Sequence, residues 1–352
     1  MIPLGTKGEG MKPKEVLLKA FEGGKPDRLP VTLFGAGMWS IKGFGTSFEA
    51  LSRDADKMTA MLVDMSAKLQ CDIVYPGSGY NNFHATALGG KIKFREMGAP
   101  DLENHFVSSE EDLAKLKLSD LDKDETIKTV VKALRQTKAK IGDTYVVTMT
   151  AWGPFTLGAR LVGEEAMMKA TFKKPAFVEK VVDFATNVLI HLYEPIVADK
   201  TLEVISLADP TASGDLISRK QFEKFAVPAL KKFTDWAKSK GVHTLVHICG
   251  NTTDRLDLFP LTGASCISLD HKTDMAKAKE ALHGKMCFGG NVDPVKVMLN
   301  GTVQDVENAC KEVIKTAGTD GGFVLMPGCD IPPTVPYDNI KKFIQVAHEW
   351  KL

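Results

Sequence analysis

The chain carries few residue groupings that could do chemistry, and the sharpest is Leu245-Val246-His247-Ile248-Cys249-Gly250. Side chains on a strand alternate faces, so His247 and Cys249 share one face while Val246 and Ile248 take the other. An imidazole beside a soft thiolate, just before a glycine that ends the strand, makes half of a zinc site. No Cys-x-x-Cys partner lies nearby, so the remaining ligands must come from far along the chain. Cys329, in Met326-Pro327-Gly328-Cys329-Asp330, sits where an apolar strand stops at a loop. Asp270 ends the stretch Cys266-Ile267-Ser268-Leu269-Asp270. A lone His-x-Cys is more commonly a buried histidine beside core cysteines. Against that reading, all three candidate ligands fall at the C-terminal ends of predicted strands.

The strands come in a regular order. They are expected at about 29–34, 71–75, 145–150, 203–207, 243–249, 264–269, 285–289 and 322–326. Helical patterns lie between them, notably at about 55–69, 175–198 and 219–240. Pro13 opens the first helix, with Val16, Leu17, Ala20 and Phe21 at helical spacing and Gly23-Gly24 as its stop. A hairpin is expected over 85–97, with Gly89-Gly90 as its turn. Ser108-x-x-Glu111 fits a capping box. After Thr302, the residues Val303, Val306, Cys310 and Val313 form one apolar stripe, which makes Cys310 a core residue; Cys71 and Cys287 sit inside strands and are read the same way. Strict strand–helix alternation implies parallel strands. Eight such units imply a closed (β/α)8 TIM barrel, an α/β fold whose active-site residues come from the C-terminal strand ends. A doubly wound open sheet is the alternative, but Gly35-x-Gly37 lacks the third glycine and the acidic residue of a dinucleotide fingerprint. One domain over 1–352 is expected, with a loose arm at 1–12 and a hairpin and helical insertion at 85–143.

Composition bounds the remaining classes. The 352 residues hold 44% hydrophobic and 25% charged side chains, ordinary for a globular protein. Forty-five basic and 44 acidic residues leave a net charge of +1, with no concentrated patch to serve nucleic acid or a membrane surface. The apolar runs are strand-sized, short of the ~20 residues that span a bilayer. Six scattered cysteines without a signal-peptide core suggest reduced thiols and a cytoplasmic protein.

The strand-end set is Phe34-Gly35, Tyr75, Trp152, Asp209, His247, Cys249, Asp270, His271, Asn291 and Cys329. In the sixth strand, Cys266, Ser268 and Asp270 form the more polar face and are expected to turn toward the barrel axis. These segments resemble the zinc-dependent methylcobamide:thiol methyltransferases of the uroporphyrinogen decarboxylase superfamily, the methylcobamide:coenzyme M enzymes above all. The resemblance is carried by His247-Ile248-Cys249-Gly250, by Leu207-Ala208-Asp209-Pro210 with Ala212-Ser213, by Gly290-Asn291, and by Pro327-Gly328-Cys329 with Ile331-Pro332 and Pro336. Lys25-Pro26-Asp27-Arg28 resembles the superfamily's opening. Two departures stand out. The decarboxylases carry an arginine-rich segment after the first strand, where this chain has Phe34-Gly35-Ala36-Gly37-Met38-Trp39, so porphyrinogen decarboxylation is not expected. The methyltransferases tend to have Glu where this chain has Asp270, which leaves His271 as an alternative fourth ligand.

The resemblance implies Zn²⁺ held by His247, Cys249, Cys329 and Asp270, and a methylcorrinoid donor carried by a corrinoid-binding protein. A free thiol near pKa ~8.5 is mostly protonated at neutral pH, whereas a zinc-bound one is a thiolate nucleophile. The acceptor would be a small-molecule thiol or, alternatively, tetrahydrofolate. Asp209 either supports the site or caps the loop before Ser218. Tyr75, Trp152 and Asn291 are expected as corrinoid contacts at the mouth, with packing as the plainer role for the aromatics. A non-catalytic alternative keeps the zinc as a closed structural site in a docking module for the corrinoid protein.

Overall fold

A computed structural model describes residues 10–34, 37–76, 78–95 and 98–352. Most of the expected 1–12 arm, the Gly35-Ala36 pair, Gly77 in the loop after the second strand, and the Glu96-Met97 end of the expected hairpin lie outside the described residues. Ten strands are formed among the described residues. They are β1 Ile73–Val74, β2 Ile92–Lys93, β3 Asp101–Leu102, β4 Val146–Val147, β5 Thr150–Trp152, β6 Val204–Ala208, β7 His243–Ile248, β8 Cys266–Leu269, β9 Cys287–Val292 and β10 Phe323–Pro327. The regular ladders make a six-stranded parallel sheet in the order β10-β9-β8-β7-β6-β5, a parallel pair β1-β4, and a short antiparallel pair β2-β3. The fold is therefore α/β with parallel strands and intervening helices, and regular pairing among the described residues does not run round a closed ring.

Single hydrogen bonds span the gaps between these sheets. The expected first strand appears as one bridge, Val31 to Leu325 of β10, because Pro30 lacks a ladder donor. Leu325 N–H donates to Pro30 O at 2.9 Å, and Thr32 N–H to Leu325 O at 3.1 Å. On its other side Val31 N–H donates to the Asp72 carboxylate at 2.7 Å, and Asp72 N–H returns to Val31 O at 3.0 Å. Arg28 pairs with that buried carboxylate, so the Asp27-Arg28 segment serves the framework here. The expected third strand is split into β4 and β5, since it changes partners midway: Thr148 N–H still bonds Val74 O, while its Oγ1 reaches Val204 O of β6 at 2.6 Å.

The hairpin is placed differently from expectation. Residues Phe83–Ala87 form a helix, and the turn at Gly89-Gly90 leads to β2, which pairs with β3. Phe83, His84 and Ala85 are all buried in this helix. The cap at the next helix is Ser109, whose side chain accepts from Asp112 N–H, and Ser108 instead bonds the Asp112 carboxylate. In the helix Val303–Ala317 the buried stripe is Val306, Cys310, Ile314 and Ala317, while Val303 stays 39% exposed at its first turn. β9 runs on through Gly290 and Asn291, so these belong to the strand and not to the loop after it. The helix Pro175–Ala198 is long and apolar enough to cross a membrane by length and composition. Its buried Val178, Val181, Ala185, Val188 and Leu192 pack it into the core, which accounts for the composition.

Burial gives the fold an acid sensitivity. His84 is 2% exposed, and desolvation lowers its pKa from 6.5 to about 4. The unfolded chain therefore binds a proton that the folded chain refuses between those values, so stability falls as pH drops from 6.5 to 4, by up to about 3 kcal/mol from this group. His348 is lowered to about 4 for the same first reason and acts in the same direction. A His84→Gln protein should accordingly lose less stability between pH 7 and pH 5 than the unaltered one, as measured by urea midpoints at the two pH values. Identical pH dependence in the two proteins would contradict this.

Candidate metal centre

β7 alternates as its sequence requires. Val246 and Ile248 join the main core between sheet and helices, while Leu245 and His247 face the opposite way. His247 is 1% exposed and its Nε2 lies 3.1 Å from Cys249 Sγ. Gly250, at φ +77°, then turns the chain away from the strand. Cys329 follows β10 by two residues, and its sulfur lies 3.5 Å from that of Cys249. The three potential ligand atoms are within 4.8 Å of one another. Tetrahedral zinc with bonds of about 2.0–2.1 Å to nitrogen and 2.3 Å to sulfur holds such atoms roughly 3.5–3.8 Å apart. Small outward rotations of the side chains meet that spacing, so the donor set fits the ion in both chemistry and size.

Neighbouring residues set the orientation of each ligand. His247 pairs in register with Ser268 of β8, and the Nδ1 atom is 3.0 Å from Ser268 Oγ. That partner leaves Nε2 for the sulfur side, where a metal would be. The Phe34 ring packs on the His247 imidazole at 4.4 Å between centroids. Gly328 brings the β10 turn against the β8 turn. A side-chain carbon there would meet His271 Cα at 2.9 Å and its nitrogen closer still. The two cysteines share a proton: the hydrogen bond from Cys249, with help from His247, pulls the Cys329 thiol down, and the same bond together with burial pushes the Cys249 thiol up.

The other expected site residues are near but differently employed. Asp270 does not join the three-residue group. Its Oδ2 accepts from Gly250 N–H at 2.9 Å, and its Oδ1 from Lys272 N–H at 2.9 Å. His271 Nδ1 is also 2.9 Å from Oδ1. The carboxylate thus holds two backbone turns in this structure, and His271 is engaged with it. The Asn291 side chain donates to Asp270 O at 3.1 Å and Thr273 O at 2.9 Å, so it ties the β8 turn to β9 and is not turned toward a ligand at the mouth. Asp209 is fully buried. Its Oδ1 accepts from Thr156 N–H at 2.6 Å, at the start of the helix Pro154–Val162, and its own N–H donates to His247 O at 2.8 Å. It caps that helix and not the loop before Ser218. Burial raises its pKa to about 6, and Oδ2 has no hydrogen-bond partner among the described residues. Tyr75 gives its hydroxyl to Leu33 O, and Trp152 donates Nε1–H to Asn82 Oδ1 at 2.6 Å beneath the Arg160 guanidinium. Both are half-buried at strand ends with their polar atoms committed to the framework.

Sequence reasoning passed over Ser268 and Phe34 as ligand supports and Gly328 as a contact. Ser268 was legible as an inward residue two before Asp270; its match to His247 depends on the register of β7 with β8. Truncating it should show the connection. Ser268→Ala should weaken metal binding about tenfold or more, and Gly328→Ala should weaken it further by forcing the β10 turn off the His271 backbone. Competition with a chromogenic chelator measures both, and affinities equal to that of the unaltered protein would remove these supporting roles.

Comparison with known proteins identifies the family. Residues 12–350 match the family model "Uroporphyrinogen decarboxylase (URO-D)". The chain is 31% identical over 342 residues to the methylcobamide:CoM methyltransferase MtbA of Methanosarcina mazei, covering 96% of this chain and 98% of that one. It is 29% identical over 342 residues to the Methanosarcina acetivorans enzyme of the same name, with the same coverage. A solved methyltransferase from Methanosarcina mazei superposes with a TM-score of 0.86 at 26% identity, over 96% of this chain and 99% of that one. The chain belongs to the uroporphyrinogen decarboxylase (URO-D) family and, within it, is an enzyme of the methyltransferase kind.

Proposed function

We propose that this enzyme moves a methyl group from a methylated corrinoid, presented by a corrinoid-binding protein, to a small-molecule thiol such as coenzyme M. The observation that carries the reading is the cluster of His247, Cys249 and Cys329, a three-ligand zinc set with both cysteines partly exposed. Catalytic zinc sites keep three protein ligands and one open position, whereas structural sites are closed. With Asp270 spent on Gly250 and Lys272, that position is left to the acceptor, and this favours catalysis over a structural docking module. Zinc bound there would act as a Lewis acid that keeps the acceptor sulfur deprotonated at neutral pH. The relatives named for coenzyme M favour a thiol over tetrahydrofolate as acceptor.

The chain's own residues then position and exclude. Ser268 and Phe34 hold the His247 ring; Asp270 holds the turn that carries Cys249; Asp209 fixes the ends of β6 and β7 to the helix Pro154–Val162. In the transfer itself the acceptor sulfur attacks the methyl carbon as the cobalt–carbon bond breaks, and the bonding pair stays with the cobalt. Tyr75 and Trp152, half-buried at neighbouring strand ends, are the faces we assign to the corrinoid side of the mouth.

The same reading includes a closed eight-stranded barrel in one domain over the chain. Support comes from the hydrogen bonds that link Pro30–Thr32 to β10 and to Asp72. A second line is a separate small core. It collects Ile73, Val146, Val204, Leu245, Cys266, Cys287, Val324 and Met326, one or two residues from each of seven strands, over Leu17, Ala20 and Phe21 of the first helix. Strands from opposite ends of an open sheet do not meet in one compact cluster, whereas the interior of a barrel is built this way.

Two measurements test the function. The purified protein with methylcobalamin should methylate thiols, coenzyme M among them, and leave tetrahydrofolate unmodified; the reverse preference would overturn the thiol reading. Cys329→Ala should lose zinc and transfer together. Cys310→Ala, in the apolar helix stripe, should keep its zinc and lose about 1 kcal/mol of stability. Equal zinc in both variants would overturn the ligand assignment.

A further inference from the structure

The six cysteines of the chain are all free, and they divide by access. Cys71, Cys266, Cys287 and Cys310 are buried, while Cys249 and Cys329 are partly exposed. Two pairs bring thiols together. Cys266 of β8 and Cys287 of β9 face each other in register, both 0% exposed, and burial pushes the Cys266 thiol up. The second pair is Cys249 and Cys329, whose sulfurs lie 3.5 Å apart. A disulfide needs about 2.05 Å, so these sulfurs must close by roughly 1.5 Å. That movement need not break a ladder. Cys249 comes one residue after β7 and Cys329 two residues after β10, and the register pairs end at Ile248 and Pro327. Each sulfur therefore rides on a turn beside a glycine, Gly250 or Gly328, and not on a paired strand.

We propose that the metal centre is also a redox switch, in which a small-molecule disulfide joins Cys249 to Cys329 and releases the ion. The inference rests on the ligand assignment above, and the oxidant is the oxidised form of the thiol class assigned there as acceptor. In the first step one ligand sulfur attacks RS–SR. A Cys–SR bond forms, the RS–SR bond breaks, and RS⁻ leaves with the bonding pair. In the second step the other ligand sulfur attacks the cysteine sulfur of that mixed disulfide and expels the second RS⁻. The two cysteine thiolates lose two electrons, the small disulfide gains them, and no proton moves. His247 is then the one ligand left of the three, and a single imidazole falls well short of the ligand set that holds zinc. The closed pair shuts the site until a thiol reduces it, so methyl transfer stops when the acceptor pool is oxidised. Cys266 and Cys287 stay reduced, because exchange requires the oxidant to reach a sulfur.

Treating the zinc-loaded protein anaerobically with 2-hydroxyethyl disulfide tests this. A chromogenic chelator reads the released zinc, and peptide mass mapping reads the links. One zinc should leave for each Cys249–Cys329 disulfide formed, and dithiothreitol with added zinc should restore the metal. Release should be at least about tenfold faster than with the same concentration of 2-mercaptoethanol, which cannot oxidise the pair. Cys249→Ser should stop at a stable mixed disulfide on Cys329, and Cys266→Ala should release its zinc as the unaltered protein does. Zinc retained through the treatment, adducts without the Cys249–Cys329 link, or a Cys266–Cys287 link in its place would each overturn the proposal while leaving the ligand assignment intact. A protein that binds no zinc before treatment would overturn the assignment and this proposal together.

Discussion

The Asp270 carboxylate is the constraint on which the centre depends. Its two oxygens accept N–H groups from Gly250, on the turn after β7, and from Lys272, on its own turn after β8. A buried carboxylate is costly unless its lone pairs are filled, and here they are filled by backbone. The result is a fixed distance between two neighbouring strand ends. Gly328 adds the third element by letting the β10 turn rest on the His271 backbone. With those turns set, Cys249 and Cys329 reach each other and His247 without any of the three leaving its own strand end.

A second layer of constraint lies on the flank of the site. Asp209 joins β6 to β7 through the His247 carbonyl and caps the helix Pro154–Val162, where a side chain on Gly153 would meet Asp209 Cβ and Cγ at 2.5 Å. Arg255 fixes the loop after β6 from the inside. The polar groups around the metal centre therefore divide by task. Those deepest in the protein hold backbone, and the two cysteines and the Asp215–Lys272 pair lie nearer solvent. Such a division suits a site that must hold its ligands in place while admitting and releasing a substrate.

Much of the fold was readable because its signals are local. The helix Pro175–Ala198 matches its expected limits, and β6, β7, β8 and β10 fall within two residues of theirs, since alternation and helical periodicity depend on the nearest residues only. The readings that failed concern segments whose neighbours decide. Thr86-Ala87-Leu88 reads as a strand before a Gly-Gly turn, yet Thr86 and Ala87 end the helix Phe83–Ala87 and Leu88 caps it. The stretch from Tyr145 to Thr150 reads as one strand and is two, because it serves β1 first and β6 afterwards.

The site divides in the same manner. Sequence alone determined the ligand types, since His-x-Cys on a strand puts an imidazole and a thiol on one face whatever the rest of the chain does. It also placed Cys329 at a strand end and Cys310 inside a helix stripe. Only the tertiary structure decided the hydrogen-bond partners of Asp270, because they depend on how the turns carrying Gly250 and Lys272 are brought together. The partners of Asp209, Asn291 and Lys272 were hidden for the same reason. Each lies on another strand or loop, and hydrogen-bond partners distant in sequence follow from strand register and loop packing, which no local pattern encodes.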